Sequence, residues 1–127
     1  MIYTNSGGAE YKVKFYLETK TGRTPVKDYI ERIPTKEKAK ILKYIEFLRI
    51  HRGVLDEPFT KHVRGKIREL RVDFFHNKHR IFYFTFIHKT IILLHAFSKN
   101  TAKTPPNEIK RAENHYEEVI LNKEIYE

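Results

Sequence analysis

From Arg80 to Phe97 the sequence is almost continuously apolar and β-prone, and this stretch limits the possible folds more than any other. Ile81, Phe82, Tyr83, Phe84, Thr85, Phe86 and Ile87 run in succession, His88-Lys89 offers a turn, and Thr90 to Phe97 resumes the pattern. Runs this short and this rich in Ile and Phe predict strands rather than helices. Apolar side chains on both faces of a strand require it to be central, with cover on each side. Upstream, from Lys66, Leu70, Val72 and Phe74 alternate with Glu69, Arg71 and Asp73, and His76-Asn77-Lys78 fits a hairpin turn.

The remaining segments supply that cover. Tyr11 to Thr19 alternates and reads as a first strand. Thr24-Pro25 opens a short helix through about Ile33, since proline suits the first helical position. Pro34-Thr35 repeats the signal with Thr35 as cap. Ala39, Ile41, Leu42, Ile45, Phe47, Leu48 and Ile50 then recur at helical spacing until Gly53. Leu55 to Thr60 is a connection. Thr104-Pro105-Pro106-Asn107-Glu108 opens a last helix with Ile109, Ala112, Tyr116, Val119 and Ile120 on one face. The expected order is β-α-α-β-β-β-α. It describes an α+β domain: a small, mostly antiparallel sheet with an N-terminal helical hairpin and a C-terminal helix. Residues 1–10 read as a flexible leader, 11–121 as a single domain and 122–127 as a tail.

Charge is concentrated on the strand region. Between Lys61 and Arg111 stand twelve cations against Glu69, Asp73 and Glu108, a local balance of +9 that equals the net charge of the chain. Five of the seven histidines lie in the same stretch. A basic sheet of this kind suits a polyanion, nucleic acid above all. Cysteine is absent, so disulfides, thiolate ligands and a thiol nucleophile are excluded. No apolar run approaches the roughly 20 residues that span a bilayer. The first residues lack the pattern of a signal peptide, and the expected compartment is the cytoplasm.

Lys61-His62-Val63-Arg64-Gly65, Ile67-Arg68-Glu69-Leu70-Arg71 and His79-Arg80-Ile81-Phe82-Tyr83-Phe84 together resemble the RelE/HigB toxin superfamily. Leu93 to Pro105, Gly22 to Val26 and Lys38 to Leu42 are similar to its phage-derived HigB-like branch, so the resemblance covers about residues 11–121. It implies a RelE-like microbial ribonuclease-type fold, toxin function and neutralisation by a helix-turn-helix antitoxin. The activity it implies is metal-independent cleavage of mRNA in the ribosomal A site, with no cofactor. A gyrase-inhibiting toxin of the same fold and a non-catalytic nucleic-acid-binding module are the alternatives. The basic cluster favours RNA.

Cleaving RNA in this way requires activation of a 2′-OH, protonation of the leaving oxygen and cations on the phosphate. Arg71 and Arg80, on neighbouring strands, suit the phosphate because a guanidinium binds two oxygens at once. The resemblance carries the phosphate-ligand role to Arg80. Competing roles are ion pairs, of Arg80 with Glu69 and of Arg71 with Asp73. Lys99 and Lys103 occupy the sheet-end loop, where the helix start at Thr104 would add backbone donors. Lys61, Arg64, Lys66 and Arg68 suit RNA backbone. For proton transfer the candidates are His62 and His95, with His79 also available, and Tyr83 if its hydroxyl reaches an exposed edge. His95 lies in an apolar strand, where a satisfied, neutral core histidine is the commoner role. His51, His76, His88 and His115 read as turn or surface residues, and no spacing suggests a metal site.

Overall fold

The computed structural model describes residues 10–86 and 89–127. Residues 1–9 of the expected leader and His88 of the expected turn lie outside the described residues. Along the chain come β1 (Lys12–Phe15), α1 (Pro25–Arg32), α2 (Thr35–Ile50), β2 (Thr60–Arg64), β3 (Ile67–Phe74), β4 (Asn77–Phe86), β5 (Thr90–Lys99) and α3 (Pro106–Leu121). A 3₁₀ turn, Lys123–Ile125, follows. The strands form one open sheet in the order β1-β5-β4-β3-β2, with β1 parallel to β5 and every other pair antiparallel. This is the expected α+β architecture with one strand more than expected.

That strand is β2, in a segment where the sequence predicts no element. Its pattern, Thr-Lys-His-Val-Arg, has no apolar alternation because it is an edge strand carrying cations outward. A tight turn at Gly65 (φ +56°) returns it onto β3, pairing Lys61 with Glu69 and His62 with Arg68. The corrected order is therefore β-α-α-β-β-β-β-α.

Alternation along β4 divides its apolar run between two cores. Ile81 and Tyr83 join Leu70, Val72, Ile91 and Leu93 beneath the helical hairpin, packing on Val26, Ile30, Ile41, Ile45 and Leu48. Phe82, Phe84 and Phe86 face the other way with Ile92, Leu94 and Phe97, against Ala112 and Val119 of α3. A strand in the middle layer of three needs no polar face, which is why the run is unbroken. Fully burying a large apolar side chain contributes about 1.5–3 kcal/mol.

Three sequence expectations for the helices need correction. Leu42, Phe47 and Ile50 are exposed: a straight helix buries only one stripe, here Ile41, Ile45 and Leu48 at spacings of four and three. The cap of α2 is Pro34 rather than Thr35. The cap of α3 is Pro105, followed by Pro106, so its start lacks two backbone N–H groups and offers an anion less than Thr104-Pro105 had suggested. Beyond α3, Tyr126 is buried and its hydroxyl accepts the Leu17 N–H at 2.9 Å, tying residues of the expected tail to the turn after β1.

Gly53 ends the α2 turn with φ +80° and donates to the Leu48 carbonyl at 2.8 Å. A Cβ at this position would meet the Thr85 hydroxyl. The position thus needs glycine both for its backbone angle and for the close approach of β4.

One polar network lies inside the helix-facing core. His79 Nε2 sits 2.6 Å from a Glu37 carboxylate oxygen, and the Tyr29 hydroxyl sits 2.7 Å from His79 Nδ1. The Asn77 amide donates to the same Glu37 oxygen at 3.2 Å. Glu37 and His79 are both buried. The network joins α1, α2 and β4, and it assigns His79 to structure rather than to proton transfer.

Candidate functional site

Register partners in an antiparallel pair share a face, and this places the basic residues of three strands together. Arg71 is opposite Arg80, and Asp73 is opposite Lys78, which in turn is opposite Lys99. These positions fall on the α3-facing side of the sheet, at the end that the helix does not cover. Two arginines directly opposite one another repel, at a cost of roughly 0.2–1 kcal/mol. Packing gains nothing from that arrangement. An anion held between them would.

The carboxylates of the region are divided between the two arginines. Arg80 Nη1 donates to Asp73 at 2.7 Å and to the His79 carbonyl at 2.9 Å. Arg71 Nε stands 3.6 Å from Glu69, close enough for charge attraction but too far for a hydrogen bond. The pairs are thus the reverse of the sequence reading, which had set Arg80 against Glu69 and Arg71 against Asp73. Arg80 is only 3% exposed, and the Nε atoms of Arg71 and Arg80 are both buried without a hydrogen-bond partner. Buried donors left free next to a partly open surface suit an incoming acceptor.

Beside Arg71 opens a cleft of about 400 Å³, lined by Lys61, His62, Glu69, Arg71, Lys99 and Lys103, with Thr104 at its rim. Glu69 is 2% exposed and forms part of its wall, and the Thr104 hydroxyl donates to its second oxygen at 3.2 Å. The sequence reading treated Glu69 only as a partner for an arginine. The signal that could have found it was its place as the one carboxylate between the cations of β2 and β3. Burial lowers the pKa of Lys99, and the charges of Arg80, Arg71 and Lys78 lower it further, while Glu69 pulls the other way. For Asp73, burial acts to raise the carboxyl. The Arg80 hydrogen bond and the charges of Arg80, Lys78 and Arg71 prevail and hold it below its ordinary value.

The structure separates the other candidates. His62 lies on β2, exposed at the cleft, with Nε2 2.8 Å from the Gly65 carbonyl. His95 is buried, with Nε2 2.6 Å from Glu108 of α3. Burial lowers its pKa despite that carboxylate, so the neutral ring is favoured. Tyr83 does not reach an exposed edge. It is fully buried in the helix-facing core, and its hydroxyl donates to the Gly53 carbonyl at 3.1 Å. Burial raises its pKa. Arg68 shares that face, donating to the Thr60 hydroxyl at 3.0 Å. Arg64 reaches Glu113 of α3 at 3.3 Å, and Lys66 is exposed in the β2–β3 turn. Among the described residues no group of three or more His, Asp or Glu side chains is placed to hold a metal.

Arg71, Lys99, Lys103, Lys61 and His62 therefore line one surface with Glu69 in its wall, and the buried Arg80 stands opposite Arg71 on the neighbouring strand. Tyr83, Arg68 and His79 belong to the opposite face. Among the described residues no helix is long and apolar enough to cross a membrane. A family model described as "Phage derived protein Gp49-like (DUF891)" matches residues 28–117, a span that includes every residue of this surface. No curated protein matches the chain.

Proposed function

We propose, from the premise that the chain belongs to the phage-derived Gp49-like family of toxin–antitoxin toxins, that it is an endoribonuclease that cuts mRNA on the ribosome. The observation that carries this reading is the Arg71–Arg80 rung: both Nε donors lack a hydrogen-bond partner among the described residues, and Arg71 lines a basic cleft containing a carboxylate. A scissile phosphate on these guanidiniums would have its developing charge stabilised where water is largely excluded. Glu69 would accept the 2′-OH proton and Lys99 would return one to the 5′-oxygen. The O2′–P bond forms as the P–O5′ bond breaks, leaving a cyclic phosphate and a 5′-hydroxyl. Lys61 and Lys103 would hold the flanking backbone, and His62 is the other titratable group at the cleft. The family also implies a cognate antitoxin, for which this basic surface is an accessible target.

Expression of the wild type and of Arg71→Ala, followed by mapping of mRNA 5′ ends, tests the reading. Cuts within translated messages that vanish in the variant are expected. Growth arrest with DNA damage and intact messages would instead favour gyrase inhibition and sink the proposal.

Two further results follow from the charges. Contact of about three phosphates, one at the Arg71–Arg80 rung and one each at Lys61 and Lys103, gives a log–log salt slope near −2, so ribosome affinity should fall about 20-fold over a fourfold rise in salt. Flat binding would count against the surface. In the pH–rate profile, a depressed Lys99 pKa should place the alkaline limb below the ordinary lysine range, because the acid is lost as pH rises. Lys99→Arg should move that limb upward, since arginine stays protonated. An unmoved limb would remove Lys99 from the acid role.

A further inference from the structure

We propose that a second pocket, across Arg71 from the cleft, is a nucleotide subsite in which Tyr44 and Phe59 stack an RNA base. Lys40, Lys78, Arg71 and Arg80 would hold the adjoining phosphate. This rests on the RNA reading above and adds to it a positioning element from α2 that the catalytic chemistry does not need.

The pocket exists because β2 pairs with β3 only as far as Thr60 opposite Leu70. From Arg71 to Phe74, among the described residues, no strand lies along the outer edge of β3. The chain entering β2 crosses there instead, its Phe59 carbonyl accepting the Arg71 N–H at 2.9 Å. On the other side the Lys40 ammonium of α2 donates to the Asp73 carbonyl. Between them is a pocket of about 290 Å³ with an aromatic wall of Tyr44 and Phe59 and a wall of four cations.

Three features suit a nucleotide. The Tyr44 and Phe59 rings meet edge to face, 5.9 Å apart, and Phe59 is 45% exposed, leaving aromatic surface available to a base. Of the three buried Nε atoms without a hydrogen-bond partner among the described residues, those of Arg71 and Arg80 belong to residues that line this pocket, and Arg80 is more than nine-tenths buried. Arg71 lines both this pocket and the cleft, so one phosphate on it would have a nucleotide on either side. Asp73 also lines the pocket and would repel a phosphate, but it is engaged by Arg80 at 2.7 Å and outnumbered four to one. The aromatic wall continues into an apolar notch of Phe47, His51 and Leu55, which could instead seat a side chain of an acidic protein. Four cations lining the same pocket favour the phosphate-bearing ligand.

The test is the binding of a short single-stranded RNA, blocked against cleavage by 2′-O-methyl groups, followed by fluorescence anisotropy at low salt. Tyr44→Ala and Phe59→Ala should each weaken binding by roughly 5- to 150-fold, the range for losing one base stack, while Tyr44→Phe stays near wild type. With the wild-type chain, removing one base at a time from the RNA should weaken binding at a single position. An RNA abasic there should no longer distinguish Tyr44→Ala from wild type. That arm needs only the folded native protein. Equal binding by Tyr44→Ala, no dependence on any base, or no binding at millimolar RNA overturns the subsite. So does displacement of the RNA by an acidic amphipathic peptide when no base dependence is seen, which would assign the pocket to a protein. Base-dependent binding without message cleavage would leave the subsite standing and remove the endonuclease reading. Cleavage with base-independent binding would do the reverse.

Discussion

Arg71→Ala is expected to lower message cleavage by roughly 10²–10³-fold, the usual loss when one charge-stabilising donor is removed from an active site. Its fold should persist. The Arg71 side chain is about a quarter exposed, and its ion pair is the 3.6 Å approach to Glu69, so alanine deletes a charge without opening a core cavity. A thermal midpoint within a few degrees of wild type is the control. Arg71→Lys should recover only part of the rate, because an ammonium is a point charge and lacks the planar fork. Arg80→Ala should lose comparable activity and also some stability, since Arg80 is buried and bonded to Asp73 and the His79 carbonyl. The contrast between the two variants is the informative result. Cleavage by Arg71→Ala at the wild-type rate, in a folded protein, would remove the Arg71–Arg80 rung as the phosphate site.

The largest expected change in stability lies on the other side of the sheet, at Glu37→Ala. Removing one partner of a buried hydrogen bond costs about 1–3 kcal/mol, because the group left behind is desolvated and unpaired. Here His79 loses its 2.6 Å partner and the Asn77 amide its acceptor, inside the layer that joins the helical hairpin to β4. For a domain of this size that is a fall in Tm of roughly 4–12 °C. The measurement is a denaturant titration of wild type, Glu37→Ala and His79→Ala. The two losses should not add in the double variant, since either change already breaks the same bond. Additive losses, or a change near zero for Glu37→Ala, would mean that the network does not hold the hairpin.

These two sites differ in how far the sequence discloses them. Arg71 and Arg80 could be found because strands alternate: once β3 and β4 are recognised and their turn is placed, register alone brings the arginines opposite one another. Lys99 and Lys103 follow from the end of β5 in the same way. The ion pairs could not be read, because side-chain reach decides whether Arg80 takes Glu69 or Asp73. Nor could Tyr83, whose two neighbours in the apolar run gave no indication of which core each residue would enter. The strand β2 was missed because an edge strand needs no apolar face. Leu42, Phe47 and Ile50 were misplaced because helical spacing shows which residues could share a stripe, not how wide the neighbour covering it is.

By itself the sequence determined the type of every element but β2 and the closing 3₁₀ turn, the middle-layer character of β4 and β5, and the concentration of charge on their segment. Those are properties of local pattern and composition. Only the tertiary structure decided that Glu69 forms part of the cleft wall, that Glu37 and His79 bond inside the core, and that Tyr44 and Phe59 wall the basic pocket. Each of these joins residues from elements far apart in the chain. Their pairing depends on layer packing and on where β2 stops, and no local period encodes either.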